Sequence, residues 1–322
     1  MSLNIIPLRP PSPPPEPMTG ALPSFSIITP SLNRAEWIVG AIQSVLDQDY
    51  PHLQHIVADG GSTDGTLEYL GRFPAITVSP GPDKNSHHAI NKALAMASGD
   101  VVGILNTDDL YPPGTLARVG RCFADDPHLL AIRGRCLLAD KDHPPHMEIL
   151  HDDDDLWGEV LFGTPGFNSW FFRRDYLTES LGGVNDRYVI AADRDLLIRM
   201  ILNGVRPQTL DHEAYIYHRH SGSATLDQGS CQAQELLREH VTIALTLRRT
   251  ASWNDRRRLD AFLAFEAWQL AVRLSRVGDW AAVVALMVRL GIWLPRWPMA
   301  LLRARQWRLR LKSAWQPPAN RA

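Results

Sequence analysis

The chain has 322 residues, 45% of them apolar and 21% charged, with a formal net charge of −2. This make-up suits a folded protein with a full-sized core and excludes a wholly disordered chain, a collagen-like repeat and a disulfide-stapled miniprotein. Three cysteines (Cys122, Cys136, Cys231) without a CxxC pair are too few for a cysteine zinc cluster, and they read as reduced thiols of a cytoplasmic protein.

Residues 1–23 hold eight prolines and no basic start followed by an apolar run, so a loose leader rather than a secretory signal is expected there. Order begins with the β-prone run Phe25–Thr29, closed by Pro30 and Asn33. Trp37, Ile38, Ala41, Ile42 and Val45 recur at helical spacing, predicting a helix that ends at Leu46. His55–Ala58 reads as the second strand, Thr66–Phe73 as a helix and Ala75–Val78 as the third strand. Ser86–Ala97 is amphipathic and stops at Gly99. Asp100–Leu105 is almost wholly apolar, as a strand covered on both faces must be. Ser169–Phe172 and Ala214–His218 read as later strands, and Asp193–Leu202 as a helix stopped by Asn203-Gly204. From about Gln232 the pattern is helical.

Short unbroken strands alternating with helices predict an α/β fold with a mostly parallel open sheet. Ligands of such sheets bind beyond the carboxyl ends of the strands. The polar clusters fall at those ends: Asn33-Arg34, Asp59 to Asp64, and Asn106 to Asp109. No GxGxxG, GKS/GKT or HExxH motif is present, which disfavours a Rossmann dehydrogenase, a P-loop NTPase and a zincin. Strand-end carboxylates can instead address a base or ribose and a hard divalent ion such as Mg2+ or Mn2+.

Taken in order, Thr29-Pro30-Ser31-Leu32-Asn33-Arg34, Asp59-Gly60-Gly61-Ser62-Thr63-Asp64-Gly65-Thr66, Asp83-Lys84, Ala89-Ile90-Asn91-Lys92 and Asn106-Thr107-Asp108-Asp109 resemble the family 2 glycosyltransferases. The resemblance spans roughly residues 24–225. It implies a GT-A fold, a Rossmann-like, mostly parallel sheet flanked by helices, here with a C-terminal helical extension. It also implies roles. Thr29, Asn33 and Arg34 would lie near the nucleotide, with Asp59 on the base and Ser62 and Asp64 shaping the loop. Asn91 and Lys92 would flank the donor. Asn106-Thr107-Asp108 occupies the DxD position, where Asp108 and Asp109 would hold the Mg2+ or Mn2+ bound to the donor diphosphate. Asp193 matches the catalytic base. His218 and His220 fall where the family places a late metal- or phosphate-contacting histidine, and His220 is assigned to the metal. Asn168 and Trp170 align with the acceptor side. Three positions depart from the family pattern: Asn106 for the usual first Asp of DxD, Ala192 for an acid, and His88 for Asp.

The implied reaction is transfer of a sugar from a nucleotide-sugar, a UDP-sugar in the first instance, to a hydroxyl of a glycan or lipid-linked acceptor, with inversion. The alternative is a non-catalytic scaffold that keeps the fold, motivated by Asn106 and Ala192. Local readings also stand beside the functional ones. Asp193 at the head of an apolar helix face can serve as a cap. Asp195 and Arg199 form an i,i+4 pair. Asp152 to Asp155 suits a solvated loop. Trp170 can stack on a sugar or lie in the core.

The charge is unevenly divided. From Ser252 onward there are 13 Lys/Arg against 4 Asp/Glu, together with seven of the ten tryptophans. The domain plan expected is a leader (1–23), a catalytic domain (24–230) and a basic, Trp-rich helical region (231–322). Basic residues interspersed with tryptophan suit a helix lying on an anionic membrane, hence peripheral attachment to the inner face of the cytoplasmic membrane. A helical cap on the catalytic domain is the other reading. Nucleic acid is not expected as a partner, because no recognised module accompanies the charge.

Overall fold

The computed structural model describes residues 5–7, 22–140, 147–149, 155–163, 166–219, 231–291 and 297–313. A strand not anticipated, β1 (Ile5–Pro7), precedes the first half, which then alternates as anticipated: β2 (Phe25–Ser31), α1 (Ile38–Leu46), β3 (Leu53–Asp59), α2 (Thr66–Leu70), β4 (Ile76–Pro80), α3 (Ser86–Leu94) and β5 (Val101–Ile104). Next come α4 (Thr115–Asp125), β6 (Ala131–Asp140), β7 (Met147–Ile149), α5 (Leu156–Phe162), β8 (Trp170–Arg173), α6 (Ala192–Leu202) and β9 (Gln208–Arg219). Four helices follow: α7 (Cys231–Leu247), α8 (Trp253–Arg276), α9 (Trp280–Leu290) and α10 (Trp297–Ser313).

The strands form one nine-stranded sheet in the order β1-β7-β6-β8-β5-β2-β3-β4, with β9 beside β6. The β5-β2-β3-β4 portion is parallel, in the register Ile28 with Ile56 and with Ile104. β8 then pairs antiparallel with both β5 and β6, and β9 runs parallel to β6. The sheet is therefore GT-A-like: a parallel half joined to a mixed half. The leader is not loose throughout, because Ile5–Pro7 pair antiparallel with β7 at the sheet edge. Proline is tolerated there, since an edge strand can spare the donor it removes.

Strand alternation puts Phe25 and Ile27 on one face, packed with Ala41, Val45, Leu116 and Phe123 of α1 and α4. Ile28, Ile104, Trp170 and Phe172 lie on the other face, against Ala89, Leu161, Leu196 and Leu197 of α3, α5 and α6. The second cluster continues into Val241, Phe262 and Leu274 of α7 and α8. The boundary expected at residue 230 thus divides the sequence but not the core. Phe162 of α5 meets Phe262, Phe265 and Trp307 with ring centroids 5.8–5.9 Å apart. Such aromatic pairs add about 0.5–1.5 kcal/mol each beyond their buried area.

β6 was not anticipated because charges interrupt its apolar run. Arg133 is nonetheless buried, with its guanidinium 2.8 Å from the Glu159 carboxylate and above the Trp170 ring. Arg135 pairs with Glu213 at 2.8 Å. Buried charge is tolerable when paired in this way.

Candidate functional site

The ends of β2 and β3 are bound into one unit. Asp59, 1% exposed, accepts from the Gly61 and Ser62 amides at 3.0 and 2.8 Å and from the Ser62 hydroxyl at 2.6 Å. Ser62 Oγ accepts from the Asn33 amide at 2.8 Å, and Asn33 Oδ1 accepts from the Thr63 amide at 2.9 Å. Asn33 reaches this position with φ 53°, a left-handed conformation that asparagine tolerates better than most residues. Thr66 Oγ1 accepts from the Arg34 amide at 2.9 Å, and Asp64 accepts from the Ala35 and Thr66 amides at 3.0 Å. The Thr66 hydroxyl, first among these partners, holds the Asp64 carboxyl below its usual range. Asn33, Arg34, Asp59, Ser62 and Asp64 therefore meet in a single two-loop platform. Thr29 lies apart, inside the sheet, with its hydroxyl 2.9 Å from His55 Nε2.

One strand further along, β5 delivers Asn106–Asp109. Leu105 N still bonds Ile28 O at 2.9 Å, so this loop adjoins the platform at the same sheet edge. Asp109, 1% exposed, accepts from Tyr215 Oη at 2.5 Å, the His218 amide at 2.9 Å and Asn106 Nδ2 at 3.3 Å. Burial, reinforced by the neighbouring Asp108 charge, pushes its carboxyl up to about 8. Asp109 is thus the tether that fixes the loop to β9. Asp108, half-buried beside it, and Thr107, buried, complete the turn. Tyr215 escaped the sequence reading; its signal was an aromatic in a strand otherwise read only for histidines.

Asn91 and Lys92 of α3 are both engaged. Asn91 donates to Val184 O at 2.6 Å and accepts from Val184 N at 2.9 Å. Lys92 and His88 both pair with Asp83, at 3.0 and 2.8 Å. Asp193 stands in the first turn of α6, half-buried, and accepts from the Arg194 amide at 2.6 Å. The N-cap residue is Ala191, so Asp193 is not the helix cap. Asp195 and Arg199 make the structural pair foreseen for them, at 2.8 Å. Trp170, 1% exposed, stacks on Phe172 within the core, which leaves it unavailable to a sugar ring; Asn168 beside it is half-buried. His220 and Asp152–Asp154 lie outside the described residues.

Among the described residues, no group of three His, Cys, Asp or Glu side chains could hold a metal by itself. The donor set nevertheless fits a divalent cation carried by a diphosphate: Mg2+ needs only one or two protein carboxylates beside substrate phosphates. Asp108 is the residue of this loop that could supply that carboxylate, while the Asp109 oxygens are committed to Tyr215, Asn106 and the His218 amide.

Fold and site together define an open-sheet α/β protein whose polar loops gather at the carboxyl ends of parallel strands. Residues 26–180 match the family described as Glycosyl transferase family 2. It is 33% identical over 144 residues to the putative teichuronic acid biosynthesis glycosyltransferase TuaG of Bacillus subtilis, covering 43% of this chain and 57% of that relative. It is 28% identical over 195 residues to a PGL/p-HBAD biosynthesis glycosyltransferase of Mycobacterium tuberculosis, covering 57% of this chain and 72% of that one. Among solved structures, S. aureus TarS 1-349 in complex with UDP-GlcNAc aligns over 88% of this chain and 81% of its own, with TM-score 0.58 and 20% identity. The mannosyltransferase PcManGT from Pyrobaculum calidifontis, in complex with GDP-Man and Mn2+, aligns over 92% and 90%, with TM-score 0.57 and 21% identity. At these identities the structural likeness is one of fold.

Proposed function

We propose that the protein transfers a sugar, with inversion, from a UDP-sugar to a hydroxyl of a glycan or lipid-linked acceptor. The observation that carries this reading is the placement of the Asn33–Asp64 platform and the Asn106–Asp109 loop on adjacent strand ends within the family 2 segment. The base and ribose are received by the platform around Asp59, with Asn33 and Arg34. Asn91 and Lys92 act through the segments they hold, and Asp108 faces the diphosphate. Mg2+ or Mn2+, when bound there, supplies Lewis-acid stabilisation of the leaving diphosphate. Asp193 takes the proton of the acceptor hydroxyl as it attacks the anomeric carbon from the face opposite the leaving group. Such a positioned carboxylate contributes on the order of 10²–10⁴-fold. The TarS complexes with UDP and UDP-GlcNAc support a UDP-sugar, and the Mn2+ in PcManGT supports the cation.

The same proposal places the protein on the inner face of the cytoplasmic membrane. Among the described residues no helix is long and apolar enough to cross a membrane. α9, however, turns Trp280, Val284 and Val288 outward at 63%, 60% and 76% exposure, one stripe at i, i+4 and i+8. Residues 280–322 carry eight Lys/Arg and no Asp/Glu, which complements an anionic surface.

A thermal-shift panel with Mn2+ and UDP-GlcNAc, UDP-glucose or GDP-mannose tests the donor. A ligand that binds only the folded chain at 100 times its Kd stabilises by about 2.7 kcal/mol, enough to raise Tm by several degrees. The expected result is a shift with a UDP-sugar that Asp108→Ala abolishes. No shift with any donor would defeat the reading.

A further inference from the structure

The segment from Leu181 to Ala191 leads into the helix that carries Asp193, and side chains from three helices hold its backbone. Arg199 of α6 donates to the carbonyls of Leu181 and Gly183. Asn91 of α3 makes its two bonds to Val184. Asn85, the N-cap residue of α3, donates to Asp186 O at 2.9 Å, and His87 donates through Nδ1 to Tyr188 O at 2.9 Å. The last three amides all converge on one carboxylate. Glu239 of α7 accepts from Val189 N at 2.6 Å, Ile190 N at 3.0 Å and Ala191 N at 2.8 Å. Glu239 is 6% exposed.

Ala191 is the N-cap residue of α6, so Glu239 satisfies one of the helix's end donors and, through Val189 and Ile190, fixes the approach to it. A buried carboxylate with three amide donors forms strong, charge-assisted hydrogen bonds. Asp193 follows Ala191 by two residues, and its carboxylate goes where that backbone puts it. The adjoining His240 is buried against Glu266 at 3.1 Å, so the α7 side of this clamp is itself packed in place. Glu239 lies beyond the family 2 segment, in the helical region that the sequence plan set apart from catalysis.

We infer that Glu239 is a positioning residue for the transfer reaction, setting the Asp193 carboxylate for proton removal from the acceptor. This rests on the reading of Asp193 as the base. A neutral amide in place of the carboxylate would turn an N–H toward one of the three amides and release part of the segment. Donor contacts on β2, β3 and β5 would be untouched.

The test uses the full chain with Mn2+ and either UDP-GlcNAc or GDP-mannose, following release of the nucleotide. In Glu239→Gln, kcat should fall about 10- to 100-fold, the size of effect a misplaced group produces. KM for the donor should stay within about twofold, since binding is not the step disturbed. Amide hydrogen exchange at Val189–Ala191 should quicken while β2 and β5 stay protected. Glu239→Gln added to Asp193→Asn should bring no further loss, because the first acts through the second. An unchanged kcat in Glu239→Gln beside an inactive Asp193→Asn would overturn the positioning role and leave the base reading intact. Full activity in Asp193→Asn would overturn the base reading and this inference with it, as would turnover of neither donor. Should Glu239→Gln not fold, Glu239→Asp keeps the charge with a shorter reach and should show the same split between kcat and KM. Equal losses in kcat/KM and in donor binding, or failure of both variants to fold, would mark a brace for the fold alone and overturn the proposal.

Discussion

Aspartates in this chain do different work according to what surrounds them. Asp59 folds back on the amides of its own turn, and Asp100 accepts from both the amide and the hydroxyl of Ser24, at 2.8 and 2.7 Å. Those bonds hold the Asp100 carboxyl below its usual range, whereas enclosure drives Asp109 the other way. Removing one donor from an enclosed acceptor leaves it short of a partner at a cost of about 1–3 kcal/mol. Tyr215→Phe should therefore lower the unfolding free energy by about that amount, measured by urea denaturation. An unchanged midpoint would show that Asp109 does not depend on the phenol. The order of Asp59, Asp108 and Asp193 along the chain was legible, because strand ends and turn residues announce themselves locally. The partner that fixes Asp109 was not: Tyr215 lies over a hundred residues from it, and no periodicity encodes such a pairing.

At the scale of elements, the parallel strands β2 to β5 were readable because unbroken apolar runs between turn residues have few other uses. β6 and α5 were not, since Arg133 and Glu159 look like surface residues until each is seen to satisfy the other. The C-terminal helices were recognisable as helices. Their packing onto α5 and α6 was hidden because a helical stripe names no partner. α7 shows this well: Glu239 and His240 interrupt the apolar residues Leu236, Leu237, Val241 and Ala244, and that interruption was the available sign of a polar contact. α9 keeps an outward apolar stripe, and its proposed membrane contact is measurable. The chain should sediment with phosphatidylglycerol vesicles and not with phosphatidylcholine vesicles. Replacing Trp280, Val284 and Val288 by serine should weaken that binding about tenfold or more, given the apolar area removed. Equal binding by the triple variant would exclude α9 as the contact.

For the whole molecule, two enclosed imidazoles make stability depend on acidity. Burial lowers His55 from 6.5 to about 3, and it lowers His240 as well, with Glu266 acting in the opposite direction. His55 stays neutral in the folded chain down to about pH 3, but the unfolded chain takes up its proton as pH falls below the ordinary histidine value, and the lowered His240 acts in the same direction. Stability is therefore lost progressively between about pH 6.5 and pH 3, at up to about 1.4 kcal/mol per unit for His55. In urea titrations at pH 7 and pH 4, a variant with Thr29→Val and His55→Leu should lose less stability than the parent chain, by about 3 kcal/mol. Parallel pH profiles for the two proteins would show that His55 is protonated in the folded state.

The clamp before α6 also bears on how such proteins can be recombined. Grips on one short segment come from α3 and from α7, helices that lie far apart in the chain, one ending at Leu94 and the other starting at Cys231. Grafting the tail of one relative onto the front half of another would match surfaces yet leave the segment before Asp193 with mismatched grips. Chimaeras of this kind need Asn85, His87, Asn91 and Glu239 to travel together as a set.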